Sequence, residues 1–266
     1  MNASVGLIRK AFISVIAIFS MMFMSLSANA AEDLIIGWYD WSPHQMKDAS
    51  GKLTGVNIEL MEEISNRAGF KPRFQEKPWK RIVEELKQGK VDVATSASKT
   101  DERAKFAYFT EDYFKLEYNV MFVLKENKDK FSGIKTLTDV IGKNFNIGIT
   151  RGSIYSDEHD ELAKNPEFNK HISPVGKAKQ NLEKLLAGRI DGFIEDELSG
   201  AKMIKEAGLE GKIEILFYLY SEEYASAYLM LSKKSLNQAK VDRINKALAE
   251  IKADGTYEKI LSKYQL

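Results

Sequence analysis

Residues 79–95 read WKRIVEELKQGKVDVAT, and this stretch decides the fold. Apolar residues recur at helical spacing over 79–88, and Gly89 then ends the predicted helix in the left-handed turn that glycine favours. The short apolar run at 91–95 follows at once, which indicates a buried strand. A helix that leads directly into a strand is typical of a β-α-β unit.

The same alternation continues on both sides of this unit. Upstream, strands are predicted at 33–38 and 71–76, with a helix at 56–68 between them. Downstream the order repeats, with strands predicted at 146–150 and 189–194 and helices predicted at 156–164, 177–187, 198–207, 241–253 and 256–263. Two such halves predict an α/β fold of two lobes, each a mostly parallel sheet flanked by helices.

Two apolar strands are predicted where the halves join, at 118–124 and 225–231. We expect them to be the crossovers between the lobes. In open parallel sheets, ligands bind beyond the carboxyl ends of the strands. The loops that follow the predicted strands should therefore face a ligand.

The first 30 residues have the order of features of a secretory signal peptide. Arg9 and Lys10 precede an uncharged apolar run over 11–26, and small residues end at Ala30. The run is shorter than the roughly 20 residues that span a bilayer. We therefore expect cleavage after 1–30 and export to the periplasm of a Gram-negative cell.

The composition excludes several classes of protein. The sequence has no cysteine, which excludes disulfides, a thiol-linked lipid anchor and thiolate metal ligands. Without the signal segment, 37 basic residues stand against 38 acidic ones, because Arg9 and Lys10 leave and no acid does. This balance favours neither nucleic acid nor an anionic membrane as a partner. We expect a monomer that needs no cofactor and no metal.

Polar residues that could bind an anion or a cation follow three of the predicted strands. The hydroxyl-rich turn at 95–100 leads to Arg103, unusually close to a helix N-terminus for a cation. The turn at 151–153 offers N–H donors, and 195–197 offers carboxylates. Each has a plainer alternative: an arginine paired with a neighbouring acid, an ordinary β-α turn, and an N-cap formed by Asp196 or Glu195.

Trp41 and Trp79 both follow predicted strands, in loops on the same side of the predicted sheet. A tryptophan in a loop is more often a local packing anchor than the wall of a ligand site. Two of them on one face favour a wall.

The mature chain resembles the family-3 extracellular solute-binding proteins, the amino-acid-binding components of ABC importers. Five motifs occur in the family's order: WSPH at 41–44 with GKLTGVNIEL at 51–60, the helix and GKVD at 79–92, TDER at 100–103 with FTEDY at 109–113, GRIDGFIED at 188–196, and DGTY at 254–257. The chain departs from the family where His44 replaces phenylalanine, Asn57 replaces aspartate and Asp112 replaces proline.

The resemblance implies a type II periplasmic-binding-protein fold and a set of ligand-binding residues: Trp41, Trp79, Ser96, Ser98, Arg103, Ser153 and Asp196. Arg103 would clamp the α-carboxylate of an amino acid with help from the serines. Asp196 would take the α-ammonium group, and the tryptophans would enclose the side chain. The first lobe would comprise 31–117, the second lobe 118–225, and the chain would return to the first lobe over 226–266.

Three functions stay open on the sequence. The resemblance implies capture of an amino-acid-like ligand by hinge closure and delivery to an ABC transporter permease, without chemistry. A few proteins of this fold, similar to cyclohexadienyl dehydratases, instead act on a bound acid, and His44, Glu59 or Glu195 could supply the proton. In a third reading the liganded protein docks on a sensor receptor.

Overall fold

The computed structural model describes residues 31–219 and 225–264. The predicted signal segment, 1–30, lies outside the described residues. Two separate sheets form two lobes, as the repeated β-α pattern predicted. Across the described part of the chain, no helix has the length and apolar character that a membrane span requires.

The first lobe contains the chain's N-terminal strands and its C-terminal helices. Its strands are β1 (Glu32–Trp38), β2 (Met46–Lys47), β3 (Leu53–Thr54), β4 (Phe70–Glu76), β5 (Val93–Ala97), β6 (Ala107–Phe109), β7 (Lys115–Leu116) and β13 (Ser226–Ser232). Its helices are α1 (Val56–Arg67), α2 (Trp79–Gln88), α3 (Asp101–Ala104), α8 (Gln238–Ala253) and α9 (Thr256–Ser262). The sheet order is β4-β1-β5-β13-β6, with β7 beside β13 and with β2 and β3 as a separate hairpin.

The second lobe uses the middle of the chain. Its strands are β8 (Asn119–Leu124), β9 (Ile147–Thr150), β10 (Ile172–Val175), β11 (Gly192–Asp196) and β12 (Ile213–Tyr218), in the order β10-β9-β11-β8-β12. Its helices are α4 (Asp157–Leu162), α5 (Pro166–Asn169), α6 (Lys179–Leu186) and α7 (Glu197–Glu206), with 3-10 turns at Lys125–Phe131 and Thr138–Val140.

Each sheet is mixed rather than mostly parallel. The β-α-β units give the parallel pairs β1 with β5 and β9 with both β10 and β11. Strands β13 and β8 follow the crossings between lobes and pair antiparallel with their neighbours. The antiparallel half arises because a strand that returns from the other lobe enters its sheet from the opposite end.

Both faces of each sheet are covered by helices. In the first lobe, α1 and α8 pack on one face, and α2 packs on the other through Ile82. Gly37 of β1 permits this approach, since a Cβ there would lie 2.6 Å from the Ile82 side chain. In the second lobe, Phe122 stacks on Phe193 at 5.2 Å and touches α7 at Gly200, where a Cβ would lie 2.1 Å from the ring.

Two strands end two residues later than their sequence patterns predicted. Strand β5 reaches Ala97 and β11 reaches Asp196 because β13 and β8 continue to pair with them, through Tyr228 and Asn119 respectively. The extension places polar residues within the strands. Their side-chain directions are therefore set by the alternation of the pleat.

A candidate ligand site between the two lobes

A cavity of about 40 Å³ lies between the lobes, where β1 and β5 face β9 and β11. Most of the residues proposed from the sequence line it: Trp41, Trp79, Ser96, Ser98, Arg103 and Ser153. Asp196 does not, and its neighbour Glu195 does. The lining also includes residues that the sequence did not single out as candidates: Tyr39, Glu117 and Tyr155.

Arg103 is a buried cation, with 5% of its surface exposed. Thr100 caps α3 and accepts from the Arg103 backbone N–H, which fixes the start of the guanidinium's path into the cavity. The Nη1 atom donates to the Ser98 carbonyl at 3.0 Å and Nη2 to the Gly152 carbonyl at 3.1 Å. The guanidinium also lies 5.6 Å from the centre of the Trp79 ring.

The surroundings of Arg103 favour an added anion. Among the described residues, no carboxylate lies within the 4.0 Å of an ion pair, so Arg103 is not paired with Asp101 or Glu102. Burial lowers the pKa of Arg103 from its ordinary value to about 10, and the more distant Asp160 and Glu102 offset only part of this effect. A guanidinium that has lost water without gaining a carboxylate is suited to clamp one.

Ser96 is held in a backbone conformation that L-residues rarely adopt. Its φ of 55° lies in the left-handed region. The side chain of Asn57, fully buried in α1, donates to the Ser96 hydroxyl at 3.1 Å and reaches Thr95 at 3.4 Å. Asn57, one of the departures from the family pattern, thus positions a cavity residue. Backbone strain of this kind tends to collect at functional sites.

Both tryptophans line the cavity and also join the lobes. Trp41 stacks on Tyr39, with ring centres 5.8 Å apart, and its Nε1 atom donates to Glu195 at 2.8 Å. Trp79 begins α2 after Pro78, and its Nε1 atom donates to the Gly152 carbonyl at 3.0 Å. Packing anchor and cavity wall are therefore not exclusive roles for these residues.

Asp196 is occupied by contacts outside the cavity. Its Oδ1 atom caps α7 by accepting from the Ser199 N–H at 2.9 Å, and it lies 2.7 Å from Nε2 of His44. Lys115 lies 2.9 Å from the other ring nitrogen, which is satisfied when His44 carries its hydrogen on Nε2. Although burial alone would raise it, the pKa of Asp196 is lowered by His44, with Lys115 contributing.

Glu195 is the carboxyl group that faces the cavity. It is 4% exposed, and its Oε1 atom accepts from Trp41 and, at 3.1 Å, from the Asp196 N–H. Burial raises the pKa of Glu195 to about 8, with Asp196 and Glu117 adding to the rise and the Trp41 hydrogen bond opposing it. The group therefore carries its proton for much of the time at neutral pH, and a nearby cation would remove that proton.

The lobes are in contact across the cavity. The hydrogen bonds between the lobes run from Trp79 and Arg103 to Gly152, from Ser98 to Ile154, from Trp41 to Glu195 and between His44 and Asp196. The arrangement is a closed cleft. At about 40 Å³ the cavity holds only a few waters' worth of space, so an amino acid needs the lobes to separate.

Known proteins resemble this chain over most of its length. The L-cystine-binding protein TcyA of Bacillus subtilis is 31% identical over 229 residues, which are 86% of this chain and 78% of that protein. The histidine-binding periplasmic protein of Salmonella typhimurium is 28% identical over 241 residues, which are 84% of each chain.

Solved structures agree on the fold. An ancestral arginine-binding protein bound to arginine superposes with a TM-score of 0.74 and is 27% identical, covering 89% of this chain and 100% of its own. The profile of one family matches residues 34–266. The chain therefore belongs to the bacterial extracellular solute-binding proteins, family 3.

Proposed function

We propose that the protein captures a small amino-acid-like ligand between its lobes and releases it, chemically unchanged, to the permease of an ABC transporter. The observation that carries this proposal is the buried guanidinium of Arg103, which has two carbonyl partners and, among the described residues, no carboxylate partner. A ligand carboxylate would supply the missing anion. Relatives whose names state that they bind cystine or histidine support the same ligand class.

The ligand's functional groups are assigned by chemistry. Arg103 takes the carboxylate through N–H groups that Ser98 and Gly152 leave available, since a guanidinium has five. The hydroxyl groups of Ser96, Ser98 and Ser153 stand beside it. Trp41 and Trp79 enclose the side chain. A carboxylate at the end of β11, Glu195 or Asp196, takes the ammonium group.

Binding proceeds by hinge closure. The lobes separate at the crossovers that the sequence predicts, 118–124 and 225–231. The ligand binds to the first lobe through Arg103, and closure then brings Ser153 and the end of β11 over it. Closure also excludes water, which strengthens the contact between the carboxylate and the guanidinium.

The proposed cellular compartment rests on the relatives and on the N-terminal sequence. The Salmonella typhimurium relative is named a periplasmic protein. Together with the expected signal segment at 1–30, this supports export to the periplasm. The liganded form would then dock on a permease, and an ATPase and permease encoded beside the gene would favour import over sensing.

A thermal-shift screen tests the proposal. The mature protein, from Glu32 onward, is unfolded and refolded to strip carried ligand and then heated with each common amino acid. A ligand at a hundredfold its Kd adds roughly 2.7 kcal/mol, or about 5 °C in Tm. A shift with one or a few amino acids supports the proposal. No shift with any of them contradicts it.

The buried carboxyl group of Glu195 favours a second candidate function. Its pKa of about 8 lets it keep a proton at neutral pH, as a general acid in a dehydratase must. Incubation with prephenate, followed by the absorbance of phenylpyruvate, tests this function. Turnover that disappears in Glu195→Gln would establish the enzyme, and a rate equal to that of buffer would exclude it for this substrate.

A further inference from the structure

We infer that in this chain Glu195, with Glu117 beside it, receives the cationic group of the ligand, and that Asp196 instead holds the lobes together through His44. The inference rests on the proposed function and names the subsite that selects a ligand with an amine. It departs from the assignment that the sequence resemblance implies for Asp196.

Strand geometry separates the two acids. Glu195 and Asp196 are consecutive residues of β11, so their side chains point to opposite faces of the sheet. Glu195 lines the cavity that contains Arg103. Asp196 lines a different, more apolar pocket beside Lys115 and Tyr257. A ligand held by Arg103 therefore meets Glu195.

The hydrogen bonds of the two acids reinforce this separation. The Oδ1 atom of Asp196 accepts from the Ser199 N–H, which caps α7, and from His44 on the opposite lobe. Asp196 therefore already has a hydrogen-bond donor from the other lobe. Glu195 uses Oε1 for both Trp41 and the backbone. Among the described residues, neither Oε2 of Glu195 nor Oδ2 of Asp196 accepts a hydrogen bond, but only Glu195 lines the cavity that contains Arg103, so its second oxygen is the natural partner of a ligand N–H group there.

The charges around Glu195 favour an incoming cation. The ionisable groups that interact with it come from each neighbouring element: Tyr39, Glu117, Tyr155 and Asp196. Lys115 lies 2.8 Å from Glu117 and 2.9 Å from Nδ1 of His44, so its charge already serves other groups. Burial and the two acids keep the pKa of Glu195 near 8, and an ammonium group would lower it.

The ligand class follows. A molecule that spans the cavity needs a carboxylate at Arg103 and a protonated amine at Glu195. An acid of the same shape without the amine leaves Glu195 protonated and gains no ion pair there. Glu195 is therefore the residue that determines the preference for an amino acid over an amine-free acid.

Two matched substitutions test the assignment. In Glu195→Gln the amide oxygen can still accept from Trp41 and the backbone, and in Asp196→Asn it can still accept from His44 and Ser199. Each variant therefore removes the negative charge that the carboxyl group would carry beside a bound ammonium group, and keeps its structural hydrogen bonds. Circular dichroism and thermal unfolding confirm that both variants fold.

The measured quantity is the preference for the amine, defined as the Kd of the amine-free analogue divided by the Kd of the amino acid. The probe pairs are L-histidine with 3-(imidazol-4-yl)propanoate, L-arginine with 5-guanidinopentanoate, and L-glutamine with glutaramate, measured by calorimetry. In Glu195→Gln the preference falls by roughly 10- to 100-fold, as expected for a lost charge-assisted bond. In Asp196→Asn it stays within about threefold.

The number of protons released on binding distinguishes the loss of the Glu195 charge from a structural effect of the substitution. At pH 7, binding of an amino acid releases about one proton from Glu195, because the pKa of the group falls from about 8. Calorimetry in phosphate and in Tris, which differ in ionisation enthalpy, measures this proton. The release disappears in Glu195→Gln and persists in Asp196→Asn.

The outcomes are distinct. An amine preference that survives in Glu195→Gln, or that is lost in Asp196→Asn alone or in both variants, overturns the assignment while the binding function stands. A wild-type protein that binds no amino acid in the screen refutes the binding function, and the assignment with it.

Discussion

Replacement of Arg103 by methionine tests the anion site with least disturbance to the fold. Methionine fills most of the volume beneath Trp79 and removes the charge. Burial lowers the pKa of Arg103 from its ordinary value to about 10, and one pKa unit corresponds to about 1.4 kcal/mol. Burial therefore disfavours the charged guanidinium by about 3 to 4 kcal/mol that a carboxylate can restore, so its removal should weaken binding by up to roughly 300-fold.

Calorimetry of the wild-type protein and of Arg103→Met, with the amino acid that gives the largest thermal shift, measures the loss directly. The stability of the unliganded variant should change little, because the lost bonds to Ser98 and Gly152 are offset by the charge that is no longer buried. Arg103→Lys, which keeps the charge without the planar fork, should fall between the two. A folded Arg103→Met variant that binds the amino acid within threefold of wild type would refute the reasoning.

Three further predictions concern strain, packing and closure. Ser96→Gly should relieve about 1 kcal/mol of left-handed strain and raise the Tm of the unliganded protein by a few degrees relative to Ser96→Ala, and an equal or lower Tm would contradict this. Gly200→Ala should cost about 2 kcal/mol in urea unfolding, since its Cβ would lie 2.1 Å from the Phe122 ring, and an unchanged midpoint would show that the ring moves freely. Trp79→Phe keeps an aromatic ring but removes the hydrogen-bond donor to Gly152, which should destabilise the closed form by about 1 kcal/mol. Fluorescence energy transfer between a label on each lobe should then report a larger fraction of open molecules. An unchanged distribution of distances between the labels would show that the Trp79–Gly152 hydrogen bond does not stabilise closure.

The sequence predicted an element well where the apolar periodicity of a helix stops at a glycine that can end it. The helix predicted at 79–88 is α2 with the same bounds, ended by Gly89 in the left-handed conformation, as expected. Strands β10 and β12 were not predicted. Strand β10 has only four residues and contains Pro174, and the largely apolar β12, IEILFY, lacks the alternation that distinguishes a strand from a buried helix. The sheets are mixed, whereas the sequence predicted mostly parallel sheets. The direction of a strand that follows a crossing between lobes cannot be predicted from the pattern of its own residues.

The candidate site was only partly accessible from sequence. The turn after β5 and the tryptophans do share one cavity, because their segments follow strands whose ends meet. The ligand roles of these residues remain predictions. The choice between Glu195 and Asp196 depends on whether the strand continues through both residues, because along a strand only one of two consecutive side chains faces the cleft. Glu117 lies between β7 and β8, where no motif marks it.

The position of β13 has a consequence for how the chain folds. This strand lies at the centre of the first sheet, between β5 and β6, yet it is made after the whole of the second lobe. The second lobe draws its strands from one continuous stretch and can fold as soon as that stretch is available. The first lobe must wait for a long loop to close, which is slow. Until β13 pairs, therefore, the exposed edges of β5 and β6 are the aggregation hazard, and the cleft between the lobes is the last feature to form.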